Sequence, residues 1–282
     1  MVYVSTACLG GQNGKHFERN FYTVFNKYVK AGIDHIELGS CHNYIKDLKP
    51  LFKAQKEHSL NFIVHTFFPP LKEQMWVNIA SQTAKIHKMS MKIVYTAIDF
   101  CRKTDTPIYT MHPGFLADVK GKYDVSATNA PHDYEVGWNT FTQSIQKIAD
   151  RAQKYGIKIG VETQFNTKGY MLGSKPEEFT RLFKEVKNKN LGILFDFGHS
   201  YGNMHLYKMT PKEYITPLLK KIFAFHIHKG FNRDAHAKVP NLKFFSDFPK
   251  GYFKKKFLTC EVNRLDMKGI LQQRKLLEGL KA

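Results

Sequence analysis

The chain has 282 residues, 43% hydrophobic and 14% aromatic, which provides for one large packed core and excludes a disordered or fibrous protein. Lys and Arg number 43 against 24 Asp and Glu, a formal net charge of +19; this suits a polyanionic or phosphorylated partner, although lysine-rich helices facing solvent give the same balance. No stretch approaches the roughly 20 apolar residues of a membrane helix, and the opening MVYVSTACLGGQNGK lacks a basic leader, so a cytoplasmic protein with no membrane partner is expected.

In chain order, short runs rich in Val, Ile and Phe alternate with segments of helical period. A strand at 2–9 precedes a helix near 17–31, a strand at 34–38 precedes one near 44–57, and a strand at 61–66 precedes one near 76–103. A fourth strand at 107–112 leads into an insertion at 114–137, expected to act as a lid or pocket wall, and then a helix near 138–155. Strands at 158–163, 192–197, 222–228 and 256–262 follow, with helices near 176–187, 211–219 and 267–280. The crossover at 230–255, dominated by Phe, Pro and Lys, is the least regular. Eight evenly spaced strands predict a closed parallel (β/α)8 barrel, and without a linker or shift in composition residues 1–282 read as a single domain. Cys8, Cys41, Cys101 and Cys260 show no Cys-x-x-Cys spacing and read as small buried hydrophobes.

Ionisable residues gather where these strands end. His65 closes the third strand in FIVHTFF, His112 the fourth in YTMHPG and Glu162 the fifth in IGVETQ. Asp196 and His199 follow the sixth in LFDFGHS, His226 and His228 end the seventh in AFHIHKG, Asp234 and His236 come in RDAHAK, and Glu261 closes the eighth in LTCEVN. In a barrel all of these converge on the C-terminal mouth, where active sites of this architecture lie. One histidine on an apolar strand is more often a hydrogen-bonded core residue than a ligand. Their joint occurrence points instead to a shared metal cluster, because a barrel interior is normally filled by Val, Ile and Leu and unpaired polar groups there are costly. Imidazole and carboxylate suit divalent ions, with zinc expected and manganese the second candidate. His16, His35, His42, His58, His87, His132 and His205 show no such pattern and are assigned no role.

Seven motifs, VHTFF, MHPG, VET, DFGH, HIH, DAH and CEV, stand in this order along nearly the whole chain. In order and spacing the sequence resembles the xylose isomerase-like barrel superfamily, which includes endonuclease IV and many sugar isomerases and epimerases. The endonuclease IV pattern implies one ion held by His65, His112 and Glu162, a second by Glu162, Asp196, His226 and Glu261, and a third by His199, Asp234 and His236. Such a cluster would hydrolyse phosphoesters, with abasic-site DNA as the expected substrate. Arg233 and Lys229 stand where they could grip a phosphate, and His228 is placed among the substrate-binding residues. Phe68 and Pro69 depart from the pattern, since they follow His65 where the DNA enzyme carries its wedge residues.

The resemblance equally implies an alternative: a sugar or sugar-phosphate isomerase or epimerase with one metal on Glu162, Asp196, His226 and Glu261. Its two glutamates would move a proton, and His199 would hydrogen-bond a substrate hydroxyl. A polyanion-binding barrel without catalysis comes last, because an abandoned site would not keep a full ligand set. From sequence, hydrolysis is placed first.

Overall fold

A computed structural model describes residues 1–10, 18–73, 75–120, 126–166, 168–230 and 236–282. Eight parallel strands close into one barrel in the order of the sequence. They are β1 (Val2–Ser5), β2 (His35–Leu38), β3 (Asn61–His65), β4 (Ile108–Met111), β5 (Lys158–Glu162), β6 (Leu191–Asp196), β7 (Ile222–Ile227) and β8 (Phe257–Cys260). The helices are α1 (Phe21–Lys30), α2 (Lys49–Glu57), α3 (Ala84–Lys103), α4 (Tyr134–Gln153), α5 (Pro176–Glu185), α6 (Phe197–Tyr207), α7 (Pro211–Ile215) and α8 (Met267–Glu278). The chain is therefore the (β/α)8 barrel expected from its alternating pattern. Among the described residues no helix is long and apolar enough to cross a membrane, and Cys8, Cys101 and Cys260 are buried free thiols.

Strand alternation explains where the core and the polar residues go. In β2, Ile36 and Leu38 join the large apolar cluster packed between strands and helices, while His35 and Glu37 take the other face and point into the barrel. Tyr3, Ile63, Ile108, Leu194 and Ala224 make a separate small apolar cluster inside the barrel. Two residues further along β3 and β6 the inward side chains are His65 and Asp196, so the interior turns from apolar to ionisable towards the C-terminal mouth.

Two regions outside the regular strand-helix alternation are built from other contacts. The seventh crossover carries no α-helix among its described residues, only a 3-10 turn at Leu242–Phe245. Phe245, Phe248 and Phe253 pack with Phe197 and Phe225, with ring centroids 4.9 to 5.6 Å apart in several pairs, and this aromatic cluster covers the sheet where a helix otherwise would. The segment after β4 is anchored rather than loose. Phe115, Leu116 and Ala117 are buried, and the Asn78 side chain accepts from Phe115 N–H at 2.9 Å while donating to the Phe115 and Ala117 carbonyls. Asp118 accepts the hydroxyls of Ser81 and Thr83, each at 2.6 Å, so the loops after β3 and β4 are tied together. Gly114 is required for this approach: its φ is +107°, and a Cβ there would lie 2.9 Å from the Asn78 Oδ1.

Candidate active site

The end of β6 sets the geometry of the site. Asp196 closes the strand and is also the N-cap of α6, its Oδ1 accepting the His199 backbone N–H at 2.7 Å. The chain thus passes from strand to helix without a loop, and the Asp196 carboxylate is held with Oδ2 turned to the histidines of β7. His228 Nε2 lies 2.9 Å from that oxygen and His226 Nδ1 lies 3.8 Å from it.

Glu162, at the end of β5, is met by three imidazoles. Its Oε2 is 3.4 Å from His65 Nε2 and 3.2 Å from His112 Nε2, and its Oε1 is 3.1 Å from His199 Nδ1. His199 Nδ1 also lies 3.0 Å from the Thr163 carbonyl. On the far side, Glu261 Oε2 is 2.9 Å from His226 Nδ1 and 3.6 Å from His236 Nδ1, and the His236 ring stacks on His228 at 3.8 Å. The His65 and His226 rings are 4.6 Å apart and join the two halves. Of the expected site residues, His65, His112, Glu162, Asp196, His199, His226, His228, His236 and Glu261 therefore share one contact network at the mouth. Asp234 and Arg233 lie outside the described residues. Lys229 is half-buried beside the site, its backbone paired with Ala237.

His228 sits differently from the substrate contact expected of it. It is fully buried, behind Asp196 rather than in front of it. Gly198 makes room for its ring: a Cβ there would meet His228 Cε1 at 2.1 Å and Nδ1 at 2.6 Å. Gly198→Ala should push His228 off Asp196, lower stability by about 1 to 3 kcal/mol and weaken divalent-metal binding by about tenfold. Thermal melting and zinc titration check this, and wild-type values in both would refute the role given to His228.

One residue of the site escaped the sequence reading. Glu37 on β2 is 1% exposed, and its Oε2 lies 2.9 Å from His226 Nε2. The signal was available, since Glu37 is a carboxylate near the end of a barrel strand like the others.

The electrostatics follow from these contacts. Burial alone would push Glu162 up, but His112 and His65 outweigh it and hold the carboxyl well below the ordinary range. Asp196 is likewise lowered against its burial by His199 and His228, and Glu261 by His226 and His236. Burial opposes the charged form of His226, yet Glu261 and Glu37 raise it well above the usual imidazole value. His65 goes the other way, lowered by burial to about 4, and is neutral near pH 7.

The donor set fits a divalent cation. Among the described residues, five groups of three His, Asp or Glu residues place one ligand atom each within 4.8 Å of the others: Glu162 with Asp196 and His199, Asp196 with His228 and Glu261, Glu37 with His226 and Glu261, His65 with His112 and Glu162, and His199 with His228 and His236. Glu37, Glu162, Asp196 and Glu261 are all buried in one lumen, an arrangement that is costly unless positive charge meets it. Asp196 lies between the two glutamates, so Glu162, Asp196, His226 and Glu261 form one contiguous set.

Comparisons with known proteins agree with this architecture. The family model of the xylose isomerase-like TIM barrel matches residues 25–272, and the chain belongs to that family. An uncharacterized protein of Methanocaldococcus jannaschii is 30% identical over 200 residues, covering 69% of this chain and 60% of that relative. A probable endonuclease 4 of Thermoplasma acidophilum is 22% identical over 159 residues, 54% of this chain and 48% of its own. Among solved structures, a D-tagatose 3-epimerase-like protein superimposes with a TM-score of 0.73 at 22% identity, covering 99% of this chain and 96% of that one. A D-psicose 3-epimerase determined in the presence of D-fructose gives 0.68 at 14% identity, covering 100% and 99%.

Proposed function

We propose that this protein is a divalent-metal-dependent isomerase or epimerase acting on a sugar or sugar phosphate. This reverses the order of the two readings drawn from sequence. The observation that carries it is the end-to-end fit to the two sugar-epimerase-type structures, beside a match to the endonuclease over about half of the chain. Two features of the molecule add support. Phe68, at the place of a DNA wedge, is 1% exposed and packs against Phe21 and Phe100. Part of the lysine excess lies at the opposite end of the barrel, where Lys158, Lys221 and Lys256 rest on Phe223, Phe183 and Tyr252 at the strand starts.

In this reading Glu162, Asp196, His226 and Glu261 hold the metal, with zinc or manganese suited to the donors. When bound, it supplies Lewis acidity that polarises a carbonyl and makes the hydrogen on the adjacent carbon acidic. Glu162 and Glu261 are both held ionised by their histidines and begin as proton acceptors. They extend from β5 and β8, so substrate between them is met from two sides. One glutamate removes the hydrogen, leaving an enediolate; the other, once it has taken a proton from water, delivers it to the opposite face, and the first returns its proton to water. His112 helps keep Glu162 charged, His65 and His112 orient it, and His199 is placed to hydrogen-bond a substrate hydroxyl.

The test is to assay wild type and His112→Ala on a panel of ketoses, aldoses and their phosphates, on simple phosphodiesters and on abasic-site DNA, with bound metal counted. Sugar turnover is expected in the wild type, with a modest fall and unchanged metal content in His112→Ala, because His112 stands outside the four-residue set. Cleavage of abasic DNA without sugar turnover, lost by orders of magnitude together with metal in His112→Ala, would overturn the proposal in favour of hydrolysis.

A further inference from the structure

Glu37 takes no part in the chemistry just described, and its burial needs a reason. A carboxylate at 1% exposure inside a barrel displaces an aliphatic side chain that would fill the space at less cost. Its Oε1 has no hydrogen-bond partner among the described residues, and the ion pair it makes there is with His226, Oε2 to Nε2 at 2.9 Å. The other nitrogen of the same ring, Nδ1, faces the Glu261 Oε2 at 2.9 Å and the Asp196 Oδ2 at 3.8 Å. One edge of the imidazole is thus fixed by β2, and the opposite edge is aimed between the two carboxylates of β6 and β8.

We propose that Glu37 is a positioning residue for the metal: it fixes the proton of His226 on Nε2, so that Nδ1 presents its lone pair between Asp196 and Glu261. This rests on the reading of His226 as one of the four metal-holding residues. The physical reason is a choice between tautomers. An imidazole that ligates a metal carries one proton, and an anionic acceptor beside Nε2 keeps it there while raising the electron density at Nδ1. The partner strands also make the contact rigid, because Glu37 and His226 extend from β2 and β7 across the lumen and neither sits on a loop. A glutamine at position 37 keeps an acceptor but loses the charge; a leucine loses both.

The experiment uses full-length protein stripped of metal with a chelator and titrated with zinc against a chromophoric competitor. Wild type, Glu37→Gln, Glu37→Leu and His226→Ala are compared, each checked for folding by thermal melting without metal. Affinity should fall about tenfold in Glu37→Gln and about a hundredfold in Glu37→Leu. Proton NMR of the zinc-loaded wild type should show an imidazole N–H resonance slowed in exchange with water. That resonance should be absent from His226→Ala, shifted in Glu37→Gln and lost from Glu37→Leu. If Glu37→Leu does not fold, the graded loss and the shifted resonance in Glu37→Gln carry the test.

Two failures are distinguishable. Zinc affinity unchanged in both Glu37 variants but lost in His226→Ala would refute the role of Glu37 and leave the metal set standing. Affinity unchanged in His226→Ala would overturn both.

Discussion

Replacing Glu162 by glutamine should abolish turnover, by about a thousandfold or more, and deplete bound metal while leaving the fold intact. The amide has the size of the carboxylate but not its charge. In the wild type, both Glu162 oxygens are surrounded by the imidazoles of His65, His112 and His199 at 3.1 to 3.4 Å. An amide can hydrogen-bond some of these rings, yet it cannot supply the anion that a divalent ion needs or accept a proton from carbon. The metal-free variant should stay folded but melt below the wild-type temperature, since the imidazoles that face Glu162 lose their anionic partner. Activity on the responsive sugar, metal content and melting are measured together. Wild-type metal and turnover in Glu162→Gln would refute its place in the site.

Glu261→Gln should be equally disabling for the full reaction but should fail in a different way. With two acceptors on opposite sides, each glutamate serves one epimer, so losing one leaves half of the exchange chemistry open. In deuterium oxide the wild type should place deuterium on the carbon beside the carbonyl of both epimers. Glu261→Gln should still exchange hydrogen from the epimer that faces Glu162, more slowly, and should yield almost none of the product epimer. The expected loss in net epimerisation is about a hundredfold to ten-thousandfold. Metal content must be followed, because Glu261 also belongs to the four-residue set; zinc in excess separates occupancy from proton transfer. Equal residual exchange from both epimers would contradict a division of labour between the two glutamates.

The barrel and most of its site were legible in the sequence, because barrel strands impose a period of two and active-site residues fall where the strands end. His65, Glu162, Asp196 and Glu261 lie at or just beyond the last residue of their strands. The helix α6 was not legible. Phe197, Gly198, His199, Ser200, Gly202, Asn203 and Met204 are all buried, so this helix shows no alternation of apolar and polar faces, and its glycines read as a loop. Helix α3 was expected from residue 76 but begins at Ala84, because Asn78 and Ser81 spend their side chains on the loop after β4. Glu37 has the same strand-end position, but its four-residue strand, HIEL, carries none of the seven motifs. The choice between hydrolase and epimerase could not be read from residue types at all. Both readings share Glu162, Asp196, His226 and Glu261, and they differ in whether His65 and His112 hold an ion of their own or serve Glu162.

Crystals of the protein prepared with zinc, and separately with manganese, measured for anomalous scattering at each metal's absorption edge, test that difference directly. A single anomalous peak enclosed by Glu162, Asp196, His226 and Glu261 is expected, with His65 and His112 still directed at the Glu162 carboxylate. Additional peaks bound by His65 with His112, and by His199 with His236, would contradict it and restore the multi-metal hydrolase.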